Sequence, residues 1–256
     1  MKISVLYLGH IRCKKDELSQ CKDPSAMIKS PISAVLIEHP VLGNVLYDTG
    51  NSPFYRTEYS EEMRTTYPIP EFISIADALE QKGLTVNDID MIILSHMHFD
   101  HAGGLKYFAG TKAIKNVVVA EEELKNAFFQ VTAGLGGAYI RDTFDLKDIV
   151  FRPVKSDKKI MDDVSLFIQK AHTPGVIGLI LSTKAKGTVI ATSDSIYTRE
   201  AYEEGLAPGG PINKTKKEFF DNLSRVKEMQ KKYRAELLFG HDYDQITAWS
   251  KEGTFE

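Results

Sequence analysis

The sequence predicts a mixed α/β domain in which helices cover the outer faces of two packed β-sheets. Three observations carry this expectation. Apolar, β-rich runs recur in both halves of the chain, roughly 1–130 and 145–256. Between them lie segments whose apolar residues repeat at helical spacing. No proline-, glycine- or serine-rich linker divides the 256 residues, so a single domain spanning 1–256 is expected.

Taken in order, residues 3–8 form the first strand, and 34–37 and 45–47 pair across a turn at Gly43-Asn44. A loop follows at Asp48-Thr49-Gly50. The segment 51–72 is rich in aromatics and broken by Pro53, Pro68 and Pro70. It reads equally as a loop folded over a substrate and as an insertion packed by its own rings. Ser74 with Asp77 opens a helix that Gly83 ends. The apolar run 91–94 leads into a histidine-rich stretch; 116–120 is a strand, and 121–129 a helix with acids in its first turn. Gly134 to Gly137 form a loop without the spacing or lysine of a phosphate loop. Strands follow at 149–154, 164–168, 179–182 and 188–191. Thr215 and Glu218 make a capping box before a long helix with Phe219, Leu223, Val226, Met229 and Tyr233 on its apolar face. A last strand, 236–239, runs into Gly240-His241-Asp242.

Composition narrows the function classes. A net charge of −3 argues against nucleic-acid binding, which favours a basic excess. No stretch approaches the roughly 20 apolar residues of a membrane span, and the N-terminus lacks a signal-peptide core. A soluble cytoplasmic protein without a membrane or nucleic-acid partner is therefore expected. Cys13 and Cys21 match no short zinc signature and read as thiols of a reducing compartment. Oligomeric state stays open, a homodimer included.

The chemistry concentrates in "LSHMHFDHAGG", residues 94–104. Three of the seven histidines, His96, His98 and His101, stand there with Asp100. His172, Asp194 and His241 each follow a predicted strand, so all seven groups fall where strands give way to loops. In an extended segment His96 and His98 point to one side and can grip one ion; the bend before the glycines swings Asp100 and His101 towards a second. Imidazole and carboxylate together suit Zn²⁺. Gly103 and Gly104 are expected to let the backbone pass close behind the metals. His10 and His39 lack partner motifs and are read as hydrogen-bonded or surface residues.

The pattern His96-x-His98-x-Asp100-His101, then His172, Asp194 and His241, resembles the metallo-β-lactamase superfamily of binuclear hydrolases. The likeness extends from Asp48-Thr49-Gly50 to Gly240-His241. It implies a four-layer αββα sandwich with two divalent metals at one edge, Zn²⁺ first, with Fe²⁺, Mn²⁺ or Co²⁺ as alternatives. It also implies that His96, His98 and His172 hold one metal, that Asp100, His101 and His241 hold the other, and that Asp194 and a water or hydroxide bridge them. Within the superfamily, "LSHMHFDHAGG", "ATSDSIYTRE" and "FGHD" are similar to the N-acyl homoserine lactonases, the quorum-quenching group. That likeness implies a lactone-opening esterase in which Asp100 carries a proton, Tyr197 donates to the substrate, and Phe99 faces it. One departure stands at Val176, where the group has a further histidine after His-Thr-Pro-Gly.

The resemblance leaves rivals. A glyoxalase-II-type thioesterase needs another helical domain, but only 15 residues follow His241. A flavodiiron reductase has an acid at the His98 position, a secreted β-lactamase a leader, and a tRNA nuclease a basic surface. A phosphodiesterase or thioesterase acting on another small substrate, or a non-catalytic metal-bound ligand sensor, remains the alternative.

Overall fold

The computed structural model describes residues 1–209 and 216–256. Its strands are β1 Lys2–Lys14, β2 Met27–His39, β3 Gly43–Tyr47, β4 Glu71–Phe72, β5 Ile89–Ile93, β6 Val117–Ala120 and β7 Phe151–Val154, then β8 Lys158–Met161, β9 Val164–Gln169, β10 Val176–Thr183, β11 Gly187–Ser193, β12 Glu236–Phe239 and β13 Thr254–Phe255. One sheet runs β13-β1-β2-β3-β5-β6-β7, with β4 paired to β1; the other runs β12-β11-β10-β9-β8.

Alternation along the strands builds the layers. On β2, Val35 and Ile37 enter the core between the sheets, while Ala34 and Leu36 enter the core under the outer helices. Val189 and Ala191 on β11 face inward in the same way, and Ile190 faces the opposite layer. The inter-sheet core joins Val5, Ile37 and Tyr47 to Leu166, Leu179 and Val189. Residues two apart on a strand share a face, so a strand buried on both sides reads as a continuous apolar run. Outside the first sheet lie the helices Ile75–Glu80 and Glu121–Thr132, the first capped by the Ser74 hydroxyl accepting from Asp77 N. Outside the second lies Lys216–Tyr233, which buries Phe219, Leu223 and Val226. The αββα sandwich expected from the sequence is the fold observed.

Several local expectations are corrected. The hairpin turn lies at residues 40–42; Gly43, at φ +76°, already begins β3, and Asn44 lies within it. β1 and β2 are each 13 residues long, and their pairing shifts register between Tyr7 and His10. Tyr233 is 39% exposed and leaves the apolar face of its helix. Thr215 of the expected capping box lies outside the described residues. Gly103 and Gly104 pack not against the metal positions but against the loop 49–52, where a Cβ would collide with backbone. The short helix Phe99–Ala102 starts directly after His98, earlier than the glycines suggest. The reading of His10 and His39 agrees with the structure: both are buried and hydrogen-bonded, His10 to Tyr7 and Glu71, His39 to Asp163.

Candidate metal centre

Parallel strands bring the site together. β3, β5 and β6 run parallel, so the loops after Tyr47 and Ile93 leave from the same edge of the first sheet. In the second sheet β11 and β12 run parallel and end at Ser193 and Phe239, just before Asp194 and His241. The turn between β9 and β10 supplies His172. All seven expected ligands meet between these loops.

They form two groups with a shared acid. His172 Nε2 lies 3.0 Å from His96 Nε2 and 2.9 Å from His98 Nδ1. Asp100 Oδ2 lies 3.7 Å from both His101 Nε2 and His241 Nε2. Asp194 stands between the groups: Oδ1 is 3.2 Å from His101 Nε2, and Oδ2 is 3.2 Å from His241 Nε2 and 3.5 Å from His172 Nε2. Within each of the sets His96/His98/His172, His96/His101/Asp194 and Asp100/His101/His241, the donor atoms lie within 4.8 Å of one another.

The residues fit metal ions on physical grounds. His101 Nε2 and Asp194 Oδ1 are buried and, despite their proximity, make no hydrogen bond, an arrangement that is costly unless a cation pairs them. Burial and then the neighbouring imidazoles hold His96 and His98 well below the usual histidine range, so both are neutral ligands. For His101 and His241, burial acts downward but is outweighed by Asp194 and the other carboxylates, so both are raised. Asp194 is held low because His241, His101 and His96 outweigh its burial, whereas burial raises Asp100.

Surrounding groups fix each ring. His101 Nδ1 donates to Asp48 Oδ2 at 2.9 Å, and Asp48 Oδ1 accepts from Ser95 N at 2.6 Å. His241 Nδ1 donates to the Pro31 carbonyl at 2.9 Å. A carbonyl and a carboxylate only accept, so both rings carry hydrogen on Nδ1 and turn Nε2 to the metal positions. His172 Nδ1 lies 2.8 Å from the Tyr197 hydroxyl. Three of the four non-glycine residues with positive φ among the described residues are here: Asp48 (+63°), His172 (+76°) and Ser193 (+48°).

Phe99 and Tyr197 both border a small cavity over the centre, of about 40 Å³. The Phe99 ring packs at 5.1 Å from Tyr59 and 6.0 Å from Tyr67, so the segment 51–72 closes over the site and is itself held by its aromatics. The two readings of that segment are thus one arrangement. A cavity of about 530 Å³ adjoins the centre at His98 and His172. Another, of about 590 Å³, lies at the far end of β2 around His39 and Asp163 and touches none of the seven ligands.

Sequence reasoning missed Asp48 as a supporting acid, reading it only as part of a turn, and missed Glu123 altogether. Glu123 is fully buried; its Oε1 accepts from Met97 N at 2.9 Å and from the Tyr139 hydroxyl at 3.0 Å. Met97 lies between two ligands, and the Tyr139 ring packs 4.5 Å from that of His98. A glutamate in the first turn of a helix gave no cue, because that position ordinarily serves the helix dipole.

The sequence and fold match known proteins along nearly their whole length. The chain is 25% identical to an N-acyl homoserine lactonase of Bacillus cereus over 255 residues, covering 96% of each. It is 26% identical to N-acyl homoserine lactonase AiiB of Agrobacterium fabrum (strain C58), covering 100% of this chain and 99% of the relative. A solved N-acyl homoserine lactone hydrolase, with N-hexanoyl-L-homoserine bound at its metal centre, superposes with a TM-score of 0.82 at 24% identity over 96% of this chain and 95% of that one. The family model of the metallo-beta-lactamase superfamily matches residues 28–241. With that match over most of its length, the chain belongs to the metallo-beta-lactamase superfamily.

Proposed function

We propose that this chain is a binuclear metal hydrolase that opens the ring of N-acyl homoserine lactones or closely related lactones, with Zn²⁺ in both metal positions. The observation that carries the reading is Asp194, whose carboxylate reaches both ligand groups in one buried centre: Oδ2 lies between His172 of the first and His241 of the second, and Oδ1 faces His101. The relatives named as lactonases, matched end to end, support the choice of substrate. Bound there, two divalent cations polarise the attacked carbonyl and bring a water's pKa towards neutrality.

The chain's own residues orient and shuttle. Asp100 Oδ2, beside both His101 and His241, is placed to take a proton from the nucleophilic water and return it to the leaving alkoxide. His172 must present Nε2 to a metal, so its Nδ1 hydrogen goes to the Tyr197 oxygen, and the phenol keeps its own O–H as a donor. Phe99, Tyr59 and Tyr67 keep bulk water from one side of the centre. Cytoplasmic residence belongs to the same reading and is supported by two unpaired cysteines.

A pH-stat assay of the metal-loaded protein on N-acyl homoserine lactones tests the function, with thioesters and phosphodiesters run beside them. Lactone turnover supports the reading. Turnover of either other class alone, or of none with two metals bound, overturns it. Tyr197→Phe is expected to lower lactone turnover roughly tenfold and to weaken metal binding at the His172 position by about 10- to 100-fold. Chelator competition reads the second effect; unchanged affinity would confine Tyr197 to the substrate.

A further inference from the structure

The 530 Å³ cavity beside His98 and His172 has a wall the function described so far does not use. The helix Glu121–Thr132 ends there, and the loop 134–137 turns back on it through left-handed Gly134, Gly136 and Gly137. Leu135 N and Gly136 N both donate to the Gln130 carbonyl, at 2.9 and 3.2 Å, which fixes that residue's backbone. The side chains form a chain of amides and hydroxyls. Gln130 Nε2 donates to Asn126 Oδ1 at 3.4 Å, Asn126 Nδ2 donates to the Tyr139 hydroxyl at 2.9 Å, and Tyr139 donates to the buried Glu123. Gln130 ends that series at the cavity, and among the described residues its side-chain oxygen accepts no hydrogen bond.

Space decides where a substrate's acyl arm goes. On the side of Tyr67 and Phe99 the opening is about 40 Å³, room for only a few waters. The cavity at His98 and His172, at about 530 Å³, falls in the ordinary range for small-molecule sites. An ester carbonyl held at the metal centre therefore sends its arm past Tyr139 towards Asn126 and Gln130. A plain alkyl arm would leave their amide groups facing hydrocarbon, which costs free energy, whereas a keto oxygen on the arm would accept from the second hydrogen of Gln130 Nε2, and a hydroxyl could also donate to Gln130 Oε1.

We propose that Gln130, with Asn126, is a specificity-determining residue that selects acyl arms carrying a hydrogen-bonding oxygen over unsubstituted alkyl arms. The proposal rests on the lactonase reading. It is tested with metal-loaded protein by comparing kcat/KM for N-(3-oxohexanoyl)- and N-hexanoyl-L-homoserine lactone, which differ by one keto oxygen. The parent chain is expected to favour the oxo substrate by about tenfold, the worth of one net hydrogen bond. Gln130→Leu, on a half-buried helix position, should bring the ratio close to one while metal content and Tm report an intact fold. A parent ratio near one, or a ratio unmoved by Gln130→Leu, overturns the proposal and leaves the lactonase reading standing. Turnover of neither lactone by a fully loaded chain overturns that reading, and the proposal with it.

Discussion

Replacing His98 with alanine is expected to empty one metal position and to cut lactone turnover by about a thousandfold or more. His98 Nδ1 meets His172 Nε2 at 2.9 Å, and His96 Nε2 completes the trio, so losing one donor leaves two imidazoles and the shared Asp194 to hold a cation. Two imidazoles and a carboxylate shared with the second cation hold Zn²⁺ far less tightly than three imidazoles with that carboxylate, since its sites use three or four ligands. The second group keeps Asp100, His101 and His241 with Asp194. Metal analysis should therefore fall from about two ions per chain to about one, rather than to none. Because His98 is a loop residue rather than part of the sheet core, circular dichroism should change little. Two ions per chain with unchanged turnover would place the metals elsewhere.

Glu123→Gln should change how stability depends on pH. Burial pushes the Glu123 carboxyl from 4.5 up to about 7, against the nearby Thr173 hydroxyl and the hydrogen bonds from Met97 and Tyr139, which favour ionisation. Below pH 4.5 the group is protonated in both the folded and the unfolded chain and contributes no penalty. Between pH 4.5 and about 7 the unfolded chain ionises while the folded one keeps its proton, so stability falls across that window and levels off above it. A raise from 4.5 to about 7 corresponds to about 3 kcal/mol by pH 8. Glutamine retains an oxygen for Met97 N and cannot ionise. Urea denaturation of chelator-treated protein at pH 4.5 and 8 should show the variant lacking that share of the decline. Parallel declines in the two chains would mean that Glu123 ionises in the fold without difficulty.

Much of this centre is legible in the sequence because histidine is rare and its placement after apolar runs is not accidental. His96, His98, Asp100 and His101 announce themselves by spacing, and His172, Asp194 and His241 by standing at strand ends. Elements whose form depends on distant partners are not legible. β8, with the sequence KKIM, is an edge strand with neither alternation nor length, held by pairing to β9. β13 is two residues paired to the start of β1, and the helix Tyr243–Glu252 buries only Gln245, Ile246 and Trp249. Asp48 and Glu123 escaped for a related reason. Each looks like an ordinary loop or helix acid until the fold carries it against a backbone N–H near the ligands, 47 residues from Ser95 in one case and 26 from Met97 in the other.

The left-handed backbones of Asp48, His172 and Ser193 carry one last implication. An L residue with a side chain gives up on the order of 1 kcal/mol to sit there, and the fold must offset it. The compensation comes from the sandwich on either side, which grips both ends of each loop. Mutations that slacken the sheets far from the centre should thus be felt first as a loss of metal retention, before the chain as a whole begins to melt.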